Sequence, residues 1–238
     1  MQSAIKLYKP LKSKNCLEIG NKKIEYKVVK RKIKFPRLEF HVDSLLLIVP
    51  PNKKNYKALI ESKKDWIISK YSKISEIIKK HEDLTKNFIL FGKKVKITFD
   101  NSVQIDNKIK VKDFRELKNY LKKLLYEKIV KIANEYSKKL NVSYNKIFIR
   151  QQKTKWSSCS LKKNLSFNLK IVSLPEELIN YLVFHEMLHL IEKKHNGNFI
   201  SLTQREFPNY KEIEQKLYEY WIILNKNLWW KKLETAKT

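Results

Sequence analysis

An α+β fold is what this sequence predicts, with a β-rich N-terminal half followed by a small domain richer in helix. Three observations predict it. Residues 16–49 carry short apolar runs with partial alternation, interrupted at Asp43-Ser44 and closed by Pro50-Pro51, the pattern of strands and a hairpin turn. From Asp113 onward the apolar residues shift to a helical spacing. Residues 181–190 are apolar except for two histidines and one glutamate, which describes a buried helix holding polar groups that need a reason to be there.

The elements follow in order. Residues 23–29, 38–42 and 45–49 read as strands, with His41 a structural residue inside the second. From about residue 55 to 80 the spacing of Ile60, Ile67, Ile74 and Ile77 is helical, and His81 closes that helix. Residues 88–91, 95–99 and 103–111 are short strands around Gly92 and Asp100-Asn101. The change from strands to long helices places a domain boundary near residue 112, giving regions 1–112 and 113–238. Asp113-x-x-Glu116 caps a long helix whose stripe includes Phe114, Leu117, Leu121 and Leu125. Strand signals return at 146–150 and 165–172, and between them lies Trp156 beside a run of small polar residues. Ser173-x-x-Glu176 reads as a capping box with Pro175 as an early helical residue, so the next helix starts about ten residues before His185. Residues 199–207 are helical, Pro208 breaks that helix, and 210–224 form another.

The chemistry sits in His185-Glu186-x-x-His189. On a helix, positions four apart share a face, so both imidazoles can reach one ion at about 2.0–2.1 Å. Glu186 lies beside the first ligand and can meet a water there without coordinating. A catalytic zinc keeps three protein ligands and an open position. His195 is six residues past His189, roughly 9 Å along an unbroken helix. The helix must therefore stop between them and the chain must turn back, which Lys193-Lys194-His195-Asn196-Gly197-Asn198 suits through Asn and Gly that tolerate left-handed conformations. The rival scheme takes a glutamate from the later helix, Glu212, Glu214 or Glu219, though a glutamate on a charged helix is usually solvated. The spacing matches that of metzincins, but Glu192 stands where their glycine builds the turn.

Composition bounds the partners. Lys and Arg number 52 against 24 Asp and Glu, a net charge of +28. Such charge makes nucleic acid a candidate partner, although lysines spread along the whole chain and far outnumber arginines. Cys16 and Cys159 are the two cysteines, far apart, which argues against a disulfide framework and for a reducing, cytoplasmic setting. Cys159 reads as a small buried thiol. The first residues have no apolar core of a signal peptide, and the longest apolar run, 45–49, is too short to span a bilayer. Oligomeric state is not legible.

Several segments resemble one family in order. Arg150 through Cys159 resembles an R-x-x-x-x-x-W-G-S-C segment, and Asn168 with Pro175 an N-x-x-L-x-x-x-P stretch. His185-Glu186-Met-Leu-His189-Leu190 and His195-x-x-x-Phe199 are similar to its H-E-x-x-H-L and N-H-S-x-x-F-W region, and Pro208-x-Tyr210 to the segment beyond. The family is the YgjP-like metallopeptidases, small zincins related in their catalytic core to the SprT and WLM families. The resemblance implies a zincin-like catalytic domain and one Zn²⁺ per chain held by His185, His189 and His195. It implies Glu186 as catalytic acid/base and a peptide or protein substrate. Trp156, Ser158 and Asn168 are candidates for a substrate-site or supporting role. Arg150 and Tyr210 are the candidates for stabilising the oxyanion. The family's glycine after the tryptophan is Ser157 here, and its Asn-His-Ser is Lys194-His195-Asn196. The strand at 165–172 is expected to pair with an extended substrate at a sheet edge. A DNA-associated protease of the SprT or WLM type is the alternative, and a non-catalytic zinc-stabilised binding module a second.

Overall fold

The computed structural model describes residues 15–19, 22–41, 44–52, 57–99 and 108–236. The sequence readings at the N-terminus, at Asp43, at the start of the first helix and over 100–107 lie outside the described residues. The chain divides into two units, Met1–Lys79 and Lys80–Thr238.

The first unit holds β1 (Asn15–Ile19), β2 (Lys22–Lys30), β3 (Arg37–His41) and β4 (Ser44–Val49) in one sheet ordered β1-β2-β4-β3. β2 and β4 run parallel, with Tyr26 opposite Leu45, and the outer pairs are antiparallel. As a central strand, β4 is nearly continuous in apolar residues, and Leu45, Leu47, Ile48 and Val49 are all buried. The expected single helix over 55–80 is two, α1 (Lys57–Ser62) and α2 (Lys64–Lys80). Lys63 N–H bonds to the carbonyl of Ile60 at 3.2 Å, a tightened last turn that ends α1. Ile60 and Ile67 still face the same core as Ile24, Tyr26 and Leu47.

Near the start of the second unit, His81 is the N-cap of α3 (Glu82–Lys86), and its ring lies 3.3 Å from the Glu219 carboxylate. β5 (Phe88–Leu90), β6 (Lys93–Phe99) and β7 (Lys108–Val111) form a sheet in that order. The β5–β6 turn puts Phe91 at φ 48° and Gly92 at φ 79°. Its Phe91 N–H donates to the carbonyl of Val172 at 2.8 Å. A Cβ on Gly92 would come within 3.1 Å of Pro175, so this turn lies against the residue that starts the helix of the His-Glu motif.

α4 (Phe114–Leu140) is capped as the sequence predicts, Asp113 accepting from the Glu116 N–H at 2.7 Å. Leu117, Leu121, Leu125 and Ile129 are fully buried along it. The second three-stranded sheet contains β8 (Ile147–Arg150), β9 (Ser157–Cys159) and β10 (Leu165–Asn168), in the order β8-β10-β9. Two expectations are corrected here. The strand at 165–172 stops at Asn168, because the Asn168 side chain accepts from the Lys170 N–H and turns the chain into a 3₁₀ segment, Leu169–Ser173. β10 is also the central strand, paired on both sides, so it has no free edge for a substrate.

Four helices complete the unit: α5 (Glu176–Leu188), α6 (Gly197–Glu206), α7 (Tyr210–Lys226) and α8 (Leu228–Thr235). Ser173 does not cap α5. It is buried, donates to the carbonyl of Ile89 at 2.7 Å and accepts from the Trp230 indole at 3.0 Å. α8 had no counterpart in the sequence reading. Its N-cap is the fully buried Asn227, whose Oδ1 accepts from the N–H groups of Trp229 and Trp230 and whose amide donates to the carbonyls of Leu84 and Asn87. Asn227→Ala removes a cap and leaves two carbonyls unpartnered, so it should cost about 3 kcal/mol. Urea unfolding would register this as a lower midpoint at unchanged slope. Among the described residues no helix is long and apolar enough to cross a membrane.

Candidate metal centre and active site

α5 carries His185 and Glu186, and its C-cap is His189. Its apolar residues Leu178, Ile179, Leu182, Val183, Met187 and Leu188 are buried, and this burial drags His185 and Glu186 inward with them. The helix ends at Leu188, and His189 is its C-cap. The chain then turns and re-enters a helix at α6, with Asn196 as N-cap accepting from the Phe199 N–H at 2.9 Å. The expected left-handed Asn-Gly turn is not what reverses the chain. Asn196 is extended, at φ −86° and ψ −178°, and capping is its task.

Glu192 builds the turn in place of a glycine. Its backbone carbonyl lies 3.0 Å from His189 Nδ1, and its carboxylate accepts from Asn196 at 3.1 Å and Asn198 at 2.6 Å. Both asparagines lie within three residues after His195, so one residue orients His189 and fixes the segment carrying His195. Glu192→Ala should therefore weaken metal affinity about 10–100-fold, the usual cost of losing a ligand's supporting partner. Competition with a fluorescent zinc chelator measures it.

His185, His189 and His195 each place a ring nitrogen within 4.8 Å of the other two. Their ring centroids are 4.8–5.0 Å apart, and His185 Nε2 and His195 Nε2 are 3.1 Å apart. Two nitrogens sharing a tetrahedral ion at about 2.05 Å stand roughly 3.3 Å apart, so the spacing fits a metal. With His189 Nδ1 on the Glu192 carbonyl, its Nε2 is left for the ion. Burial pushes His185 down to about 3, and burial also lowers His189. Both are neutral and ready to ligate at pH 7. Among the described residues this cluster contains no carboxylate. Of the rival ligands, Glu214 accepts from Tyr181, Glu219 meets His81, and Glu212 is exposed at the start of α7.

Glu186 is 4% exposed, and its Oε2 has no hydrogen-bond partner among the described residues. Burial raises its carboxyl to about 7, opposed by the Ser157 hydroxyl, the Lys155 charge and the Cys159 backbone. The Cys159 thiol is pushed up to about 11 by burial and by Glu186. It is a protonated, half-buried thiol packed on the core.

The predicted supporting residues separate. Trp156 is half-buried, packs edge-on to Trp221 at 4.9 Å, and lines a cavity of about 400 Å³ whose wall includes His185 and Glu186. Asn168 is buried, and its amide donates to the carbonyls of Gln152 and Lys155 at 2.8 and 3.0 Å. It thereby holds the loop that presents Trp156. Ser158 pairs across from Ser166 in β9–β10, while its neighbours Ser157 and Cys159 act on Glu186. Alternate residues of a strand face opposite sides. Arg150 is exposed, with its guanidinium 4.8 Å from the Phe148 ring, and does not line the cavity. Tyr210 is half-buried at the start of α7 and does not line the cavity.

Sequence reasoning missed Tyr181 and weighed Glu214 only as a metal ligand, whereas both line the cavity and bond to each other at 2.9 Å. Burial and the Glu214 carboxylate both hold the Tyr181 hydroxyl in its protonated form. A signal existed. Tyr181 is one turn before His185, and Glu214, Leu217, Tyr218 and Trp221 share one face of α7.

No curated protein matches the chain significantly. Among solved structures, the metallopeptidase zymogen jannalysin of Methanocaldococcus jannaschii is 32% identical over 38% of this chain and 88% of its own, with a TM-score of 0.34. The metallopeptidase zymogen abylysin of Pyrococcus abyssi is 23% identical over 37% of this chain and 90% of its own, with a TM-score of 0.35. The model of the YgjP-like metallopeptidase domain matches residues 36–220. The chain belongs to the YgjP-like metallopeptidase family.

Proposed function

We propose that His185, His189 and His195 hold one zinc ion per chain and that Glu186 is the general base and acid of peptide-bond hydrolysis. The observation that carries this is the convergence of the three rings, with the buried carboxyl of Glu186 on the residue next to the first of them. An all-imidazole set suits zinc, which when bound lowers the pKa of water towards about 7 and polarises a carbonyl.

The protein's own groups supply the rest. Glu186, held near neutrality by burial, takes a proton from the attacking water and hands it to the leaving amine. The Ser157 hydroxyl and the Cys159 backbone favour its charged form and hold it in place. β9, unlike β10, has one edge unpaired among the described residues, and an extended peptide adds there by backbone hydrogen bonds. Asn168 secures the loop before that strand.

The test is reversible metal dependence. Protein stripped with a chelator should not cleave an unstructured protein substrate such as casein, and one equivalent of zinc should restore cleavage. Full cleavage by rigorously metal-free protein would overturn the reading.

A further inference from the structure

We propose that the cavity beside His185 and Glu186 is a specificity pocket for a lysine or arginine side chain of the substrate, and that Glu214 is the residue that recognises its charge. This rests on the peptidase reading above and narrows its substrate class to peptides with a basic residue next to the scissile bond.

The cavity holds about 400 Å³ and shares its wall with the two groups placed at the reaction. Much of that wall is apolar: Trp156, Leu182, Leu217 and Trp221. Such a surface accepts the methylene stem of a long side chain, and an indole face attracts a cation. The charged groups of the wall, besides Glu186, are Lys155 and Glu214. Lys155 acts on Glu186 and favours its ionised form. Glu214 is not among the groups that act on Glu186. Its Oε1 accepts from the Tyr181 hydroxyl at 2.9 Å, and no cation among the described residues pairs with it. On α5 the Tyr181 ring centroid lies 6.0 Å from that of His185. A lysine side chain spans roughly the same length on its four-carbon stem. A side chain entering from the reacting bond therefore brings its charge to Glu214.

The residue types also exclude alternatives. An apolar side chain that covered Glu214 would strip a carboxylate of water with nothing to replace it. An acidic one would be repelled. The free N-terminus of a substrate has the same positive nitrogen but no stem to use the apolar wall.

The test uses N-acetylated peptides that differ at one position, Lys, Arg, norleucine or Glu, placed in turn on each side of the cleaved bond. With zinc-loaded protein, kcat/KM should be about tenfold higher for Lys and Arg than for norleucine at one position, mostly through KM. Glu214→Gln keeps an acceptor for Tyr181 and should bring Lys down to norleucine. Glu214→Lys should turn the preference towards Glu. Glu214 is exposed, so neither variant threatens folding. Equal rates for Lys and norleucine in the wild type, or a preference that survives Glu214→Gln, would overturn the inference. So would a preference seen only with free N-termini. Binding of the same peptides to Glu186→Gln protein, read by tryptophan fluorescence, separates the two readings. A tenfold Lys preference in binding with no cleavage by the wild type sinks only the peptidase reading. Cleavage with no binding preference sinks only the specificity pocket.

Discussion

Replacing Glu186 with Gln should leave the metal in place and lower kcat/KM by a hundred- to ten-thousandfold, the usual contribution of a positioned acid/base group. The change is nearly isosteric. Glu186 is 4% exposed, so the amide fills the same space and the histidine cluster keeps its support. What disappears is the capacity to take and return a proton. The loss should fall on kcat, with KM little changed, because the group acts in the transition state. A second readout is independent of activity. In metal-free protein, burial raises the Glu186 carboxyl from an ordinary 4.5 to about 7. A carboxyl with a raised folded pKa stabilises the fold fully below its unfolded pKa, and that contribution is lost as pH rises through the folded value. The melting temperature of metal-free Glu186→Gln should therefore gain on wild type as pH rises from about 4.5 to 7. A Gln variant with full activity would remove Glu186 from the mechanism.

His195→Ala should empty the site and abolish hydrolysis while leaving the fold intact. His195 is exposed and lies between α5 and α6, outside the packed core. Its removal opens no cavity. It does remove one of the three nitrogens that converge within 4.8 Å. Metal affinity should fall by more than the roughly 10–100-fold that loss of a supporting group costs. The expected result is near one zinc per chain in wild type after dialysis and far less in the variant, by elemental analysis. Metal-free wild type and variant should melt together. Zinc fully retained by the variant would reassign the third ligand, with Glu214, which shares the cavity wall with His185, the first downstream glutamate to test.

The histidine cluster was the most legible part of the chain because it is local. His185 and His189 lie on one face of one helix by periodicity alone. His195 follows within ten residues, so a helix stop and a turn sufficed to place it. The manner of the turn was not legible. Asn and Gly suggested a left-handed reversal, yet Asn196 caps α6 and Glu192 ties the loop with its carboxylate. Capping motifs read from sequence succeeded where no competitor was near. Asp113 caps α4 as expected. Ser173 had the same signature and failed, because Ile89 and Trp230 claim its hydroxyl from 84 and 57 residues away. α8 escaped notice because its cap, Asn227, reaches back to Leu84 and Asn87.

By itself, then, the sequence determined the α+β class, the helix that carries the His-Glu motif, and the three imidazoles able to share an ion. Each follows from spacing along a single element. Tertiary structure alone decided which strand has a free edge, which serine meets Glu186, and that Glu214 comes to rest on Tyr181 beside the site. Sheet order, strand facing and the approach of α7 to α5 depend on contacts between residues far apart in the chain, and no local periodicity encodes those.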